Sequence, residues 1–117
     1  MQDFKNLLVW QKAHELALFT YRITADFPRE ELFGLRNTLR KTSVDIPAFI
    51  AEGCAKANDT EFSKSINLSL ALSNRLEYYA LMAKDLEMLS DTIHADYLER
   101  IIEVRKMLSG FSKRLAE

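Results

Sequence analysis

Three observations predict an all-α fold, an antiparallel up-and-down four-helix bundle. Only three glycines and two prolines punctuate the 117 residues, too few to turn the many short strands of a sandwich or barrel. Leu, Ala, Glu, Lys and Arg, which lose little freedom on entering a helix, are abundant. Apolar residues recur at alternating spacings of three and four through four separate stretches, the period of a helix with one buried face. The length suits one domain over residues 1–117, and neither an internal repeat nor a low-complexity tract divides it.

The first helix begins near Leu8 or Val9, with Val9, Ala13, Leu16, Thr20, Ile23 and Phe27 on one face and Pro28 as its stop. A second apolar set on it, Trp10, Ala17, Leu18, Phe19 and Tyr21, exceeds what one stripe can bury and points to a contact between subunits. The second helix runs from about Glu31 to Ala51, with Glu30 and Glu31 at its positive end and Leu32, Leu35, Leu39, Thr42, Ile46 and Phe49 facing the core. Pro47 predicts a bend near its end, and Gly53 a positive φ that closes it. Asn58 caps the third helix, with Glu61 placed as in a capping box. That helix continues to about Leu89 with Leu68, Leu72, Tyr79, Met82, Leu86 and Leu89 as its apolar face, beside a row of small residues, Ser65, Ser69 and Ser73. Ser90-Asp91-Thr92 opens the fourth helix, whose Tyr97, Ile101, Val104, Leu108, Phe111 and Leu115 make the cleanest heptad in the chain. Short connections between successive helices require antiparallel neighbours.

A net charge of −1 provides no overall positive field for nucleic acid or anionic lipid, so any such role rests on a local patch. The single cysteine, Cys54, excludes an internal disulfide. No apolar run approaches the ~18 residues of a membrane span. Together with the unremarkable amino terminus, these features predict a cytoplasmic protein without membrane contact.

Chemistry is sparse. Di-iron bundles use two Glu-x-x-His pairs, but His14 and His94, the two histidines, follow Gln11 and Asp91 at that offset. Gly34, Gly53 and Gly110 lie too far apart for a phosphate-cradling loop. Cys54 reads as a bystander thiol, and no pair of carboxylates is set apart for acid–base work. The expectation is therefore a protein with no catalytic residue, cofactor or metal. The basic residues carry more. The stretch 28–58 has a charge of +1 and 59–91 a charge of −3, so charge is segregated by helix. Arg36, Arg40 and Lys41 form the densest basic group, and Arg105, Lys106, Lys113 and Arg114 form another near the carboxyl end. Two accounts of Arg36, Arg40 and Lys41 stand open: a phosphate-contacting surface, or partners for acids on the third helix or on a neighbouring subunit.

Several segments together resemble a known bacterial family. They are Phe4-Lys5-Asn6-Leu7-Leu8-Val9-Trp10-Gln11-Lys12-Ala13, then Phe33-Gly34-Leu35 with Leu39-Arg40-Lys41, then Ile46-Pro47-Ala48 with Ile50-Ala51-Glu52-Gly53, and Glu61-Phe62. The chain is similar to the four-helix bundle proteins named for open reading frames in intervening sequences of bacterial large-subunit ribosomal RNA genes. That resemblance implies a ring-shaped homo-oligomer, a pentamer, and kinship to the accessory protein of diversity-generating retroelements, which binds nucleic acid and a reverse transcriptase. The function it implies is a non-enzymatic oligomeric scaffold associated with structured RNA or a ribonucleoprotein partner, with Arg36, Arg40 and Lys41 as the nucleic-acid contacts. The alternative is a self-assembling protein-interaction module without nucleic-acid contact. Glu52 is the one residue of the Ile-Pro segment that packing does not require; it is placed to pair with Lys56 one turn on, or with Arg36 or Arg40 of a neighbour.

Overall fold

In the computed structural model, which describes residues 2–31 and 34–116, four helices fill a rod of 43 × 23 × 20 Å. A 3₁₀ turn at Phe4–Asn6 leads into α1 (Leu8–Ile23), a second at Arg29–Glu31 precedes α2 (Leu35–Gly53), and α3 (Asp59–Asp85) and α4 (Asp91–Ala116) follow. Each helix packs on its neighbours in sequence, and α1 closes the bundle against α4. The pairings establish the antiparallel course. Ser69 donates to the carbonyl of Ile46 while Phe62 lies against Gly53, so α2 and α3 run oppositely. Arg105 meets Asn74 while Ser112 meets Asn67, and Thr20 meets Tyr97 while Lys12 meets Glu103, which sets α4 against both α3 and α1.

Helix α1 stops at Ile23, short of Phe27. Thr24 turns back there, its N–H and hydroxyl both bonded to the carbonyl of Thr20, which tightens the last turn. Phe27 still reaches the core from the following turn. Helix α2 begins at Leu35 rather than near Glu31, because Arg29–Glu31 closes a 3₁₀ turn of its own and Gly34 stands at the N-cap. Leu32, expected on its core face, and Phe33 lie outside the described residues. Pro47 is accommodated inside the helix.

Gly53 acts differently from its expected role. No glycine in the described residues has a positive φ; the one residue that does is Glu87, at 63°. A Cβ on Gly53 would stand 2.6 and 2.9 Å from two ring carbons of Phe62 and 3.0 Å from Cβ of Ser65, so the glycine permits the close approach of α2 and α3. The left-handed turn ends α3 instead. Met88 N–H bonds to Ala83 O and Glu87 N–H to Lys84 O, the paired bonds of a Schellman motif, and they stop the helix at Asp85 rather than Leu89. At its other end Asn58 accepts from Glu61 N–H at 3.0 Å as expected, while the Glu61 carboxylate turns to Lys64.

The largest difference lies in the phase of α3. Its buried residues are Phe62, Ser65, Ile66, Ser69, Ser73, Leu76, Ala80 and Ala83. Of the expected apolar face, Leu68, Met82 and Leu86 are exposed, Leu72 and Tyr79 are half-buried, and Leu89 alone is buried, beyond the helix end. Small side chains let α3 sit close to its neighbours, and the serine hydroxyls need no outside partner: Ser69 reaches Ile46 O at 2.8 Å and Ser73 reaches Leu70 O at 2.6 Å. Helix α4 follows its heptad, with Tyr97, Ile101, Val104 and Leu108 buried and Phe111 and Leu115 packed at the edge of the core. The Tyr97 hydroxyl lies 2.7 Å from Thr20 Oγ1, and burial pushes its phenol pKa up.

Candidate nucleic-acid interface

Helices α1 and α2 leave between them a groove of about 450 Å³ lined by Tyr21, Asn37, Arg40, Lys41, Val44 and Asp45. Its wall follows from helix geometry. Asn37, Lys41 and Val44 are three to four residues apart and share the outer side of α2, while Tyr21 comes from the last turns of α1. Arg40 joins the two helices. Its Nε donates to Thr24 Oγ1 at 2.8 Å, its Nη2 donates to the Tyr21 carbonyl at 3.1 Å, and the guanidinium lies 4.4 Å from the Tyr21 ring centre. Two of its five N–H groups are thus used in bracing the end of α1, and the other three stay free to donate. Desolvation lowers the Arg40 pKa, and the charge of Arg36 lowers it further. Two like charges are held in proximity, as in sites that receive an anion.

Of the three basic residues Arg40 and Lys41 line the groove, while Arg36 stands one turn before Arg40 and outside that lining, and the three do different work. Arg40 is braced against α1, Arg36 is half-buried beside it, and Lys41 is 72% exposed with Nζ 3.2 Å from Asp45. Among the described residues neither Arg36 nor Arg40 forms an ion pair with a carboxylate. The acid on α3 that takes an arginine, Glu77, takes Arg105, which also donates to Asn74 at 3.0 Å. Of the two accounts left open, pairing of Arg36 and Arg40 with acids of the third helix does not occur among the described residues of the subunit. Glu52 is exposed, and none of the ion pairs among the described residues includes it or Lys56. Tyr21 and Thr24 were invisible as site residues in sequence; their only signal is the Arg40 side chain, reaching back 19 and 16 positions respectively.

The surplus apolar surface expected on α1 is largely consumed inside the subunit. Trp10 packs edge-on against Phe4 and stacks on His14, each at 4.9 Å, Ala17 is buried, and Phe19 lies under Arg100 and beside Tyr97. Leu18 and Tyr21 remain exposed. Among the described residues, no cluster of three or more His, Cys, Asp or Glu side chains could hold a metal ion, and no helix is long and apolar enough to cross a membrane. Cys54 is buried, and desolvation, followed by the charge of Asp3, raises its thiol pKa away from the reactive range.

These features define an all-α four-helix bundle whose most distinctive surface is a basic, tyrosine-bearing groove. Residues 5–110 match the family described as 23S rRNA-intervening sequence protein, and the chain belongs to that family. Among solved structures it is similar to a protein of unknown function from the S23 ribosomal protein family of Bacteroides thetaiotaomicron, with a TM-score of 0.81 and 19% identity over 91% of this chain and 99% of that one. At that identity the likeness shows the shared bundle. No curated protein matches.

Proposed function

We propose that this protein is a non-enzymatic, self-associating scaffold that binds structured RNA through the α1–α2 groove. The observation that carries this reading is the Arg40 guanidinium, fixed at the groove by its bonds to Thr24 Oγ1 and the Tyr21 carbonyl and by the Tyr21 ring, one turn from Arg36 and without a carboxylate partner among the described residues. Free guanidinium N–H groups suit phosphate oxygens, Lys41 and Asn37 extend the donor row, and the part-exposed Tyr21 ring offers a surface for an unstacked base. The family description, 23S rRNA-intervening sequence protein, agrees in kind with such a ligand. A net charge of −1 provides no overall positive field, so the contact rests on a few phosphates and binding will be weak, with a shallow salt slope of about 0.9 per phosphate contact.

Filter binding to a structured fragment of large-subunit ribosomal RNA tests the proposal. The unmodified protein should bind at low salt, and the Arg36→Ala/Lys41→Ala variant should lose affinity alike for unrelated sequences, with the log–log salt slope reduced by about one per phosphate contact removed. Arg40 is kept in this variant because it braces α1. An unmodified protein without measurable RNA affinity at low salt would instead favour the second reading, a self-assembling protein-interaction module, which the outward face of α3 supports.

A further inference from the structure

A second groove lies at the other end of α1, against α4. Leu7 and Leu8, where α1 starts, line it together with Met107 and Phe111 of α4, around a volume of about 420 Å³, within the ~300–1,000 Å³ range of ligand sites. Leu8 is 60% exposed, more than any other large apolar side chain among the described residues.

Gly110 belongs to the same lining, and nothing in the subunit explains it. It stands inside α4, where glycine is the least favourable residue after proline. Its φ is not positive. A Cβ built on it would meet nothing nearer than Arg114 Nη1, at 3.9 Å, so unlike Gly53 it does not admit a neighbouring helix. Its missing side chain leaves the groove open to a group from outside. The charge there has one sign. Lys106 and Arg114 are the charged residues of the lining, both are exposed, and neither joins an ion pair among the described residues. The Arg114 guanidinium lies 5.6 Å from the Phe111 ring centre, beside the apolar wall. Helix α1 adds the positive end of its dipole, since Leu7 at its N-cap supplies no side-chain bond. A phosphate backbone would leave Leu8, Met107 and Phe111 without use, and a neutral apolar ligand would leave the cations without use.

We propose that this groove docks an acidic segment of a partner protein, one in which an apolar side chain is flanked by carboxylates. The apolar side chain enters over Gly110, and the carboxylates meet Lys106 and Arg114. The groove is about 20 Å along α1 from Tyr21, so it goes beyond the RNA reading and does not depend on it: one molecule can hold both ligands at once.

Fluorescence anisotropy with a short labelled peptide of alternating leucine and glutamate tests the proposal. The unmodified protein should bind it, less tightly as salt rises. Peptides with serine for leucine, or glutamine for glutamate, should each bind at least about tenfold more weakly, a loss of the size expected when one leucine side chain goes unburied. Gly110→Leu fills the groove and should weaken peptide binding by the same factor, while RNA retention on filters and sedimentation stay as in the parent. Lys106→Gln/Arg114→Gln should erase the preference for glutamate over glutamine, a readout that stands if Gly110→Leu fails to fold by circular dichroism. Gly110→Ala should raise the thermal midpoint. A lower midpoint would mean that the glycine serves the fold, and would remove the ground for an outside occupant. Equal binding of the three peptides, binding of none, or unchanged binding in a folded Gly110→Leu variant would overturn the proposal. So would a changed sedimentation coefficient in that variant, which would give the groove to a neighbouring copy.

Discussion

Replacing Gly53 with alanine perturbs the α2–α3 contact at a single carbon. The added Cβ would lie 2.6 Å from Cδ1 and 2.9 Å from Cε1 of Phe62, and 3.0 Å from Ser65 Cβ. Carbon atoms rest comfortably at about 3.5–4.0 Å, so the ring or the helix must retreat by about 1 Å. Phe62 cannot turn aside freely: it is buried, with its ring edge-on to Phe111 at 5.4 Å. Overpacking of this kind costs about 1–3 kcal/mol. Alanine recovers up to ~1 kcal/mol of helix propensity in a helix interior, and less at the last residue of a helix. The balance is a loss of about 1–2 kcal/mol, read as a lower urea midpoint with an unchanged slope. Adding Phe62→Leu should make room for the methyl, so the double variant should be less damaged than the sum of the two single changes. Unchanged or increased stability in Gly53→Ala, or strict additivity with Phe62→Leu, would refute the close-approach role of this glycine.

Glu87 holds a φ of 63° at the end of α3, where glycine avoids the steric cost of the left-handed region, so Glu87→Gly should raise stability by about 1 kcal/mol in the same denaturation assay. Tyr97→Phe should lower it by about 1 kcal/mol, because the buried Thr20 Oγ1 loses the phenol at 2.7 Å while keeping its bond to Leu16 O. Arg40→Ala should destabilise the fold as well as weaken RNA binding, whereas Arg36→Ala should affect binding alone; parallel melts and filter assays distinguish them. Because folding raises the Cys54 pKa, the folded state disfavours the thiolate. Stability from this group is complete below the unfolded thiol pKa and declines as pH rises above it, and iodoacetamide should label Cys54 far more slowly in the folded protein than in urea.

The heptad of α4 was legible because Tyr97, Ile101, Val104 and Leu108 fall at the repeat positions of a single stripe, and the structure buries all four. Helix α3 was misread for the opposite reason. It carries two stripes, and hydropathy favours Leu68, Met82 and Leu86 over the serines and alanines that the bundle buries for their small size. Serine reads as polar in sequence, yet Ser69 and Ser73 satisfy their hydroxyls on backbone carbonyls and so cost little to bury. At the groove, the nearness of Arg36, Arg40 and Lys41 follows from helical spacing. The bonds from Arg40 to Thr24 and Tyr21 depend on how α1 crosses α2, which no local pattern encodes. The same crossing decides that Gly53 serves Phe62 rather than its own backbone angle.

Ultraviolet cross-linking of bound RNA, followed by mass spectrometry of the attached peptides, tests the central claim most directly. Tyr21 is part-exposed in the groove and carries the aromatic ring that lines it. The α1–α2 groove therefore predicts adducts on Tyr21 and on the peptide spanning residues 37–45, lost when Arg36 and Lys41 are replaced by alanine. Adducts confined to the carboxyl-terminal cations Lys106, Lys113 and Arg114, or adducts on Tyr21 that persist in the Arg36→Ala/Lys41→Ala variant, would contradict it.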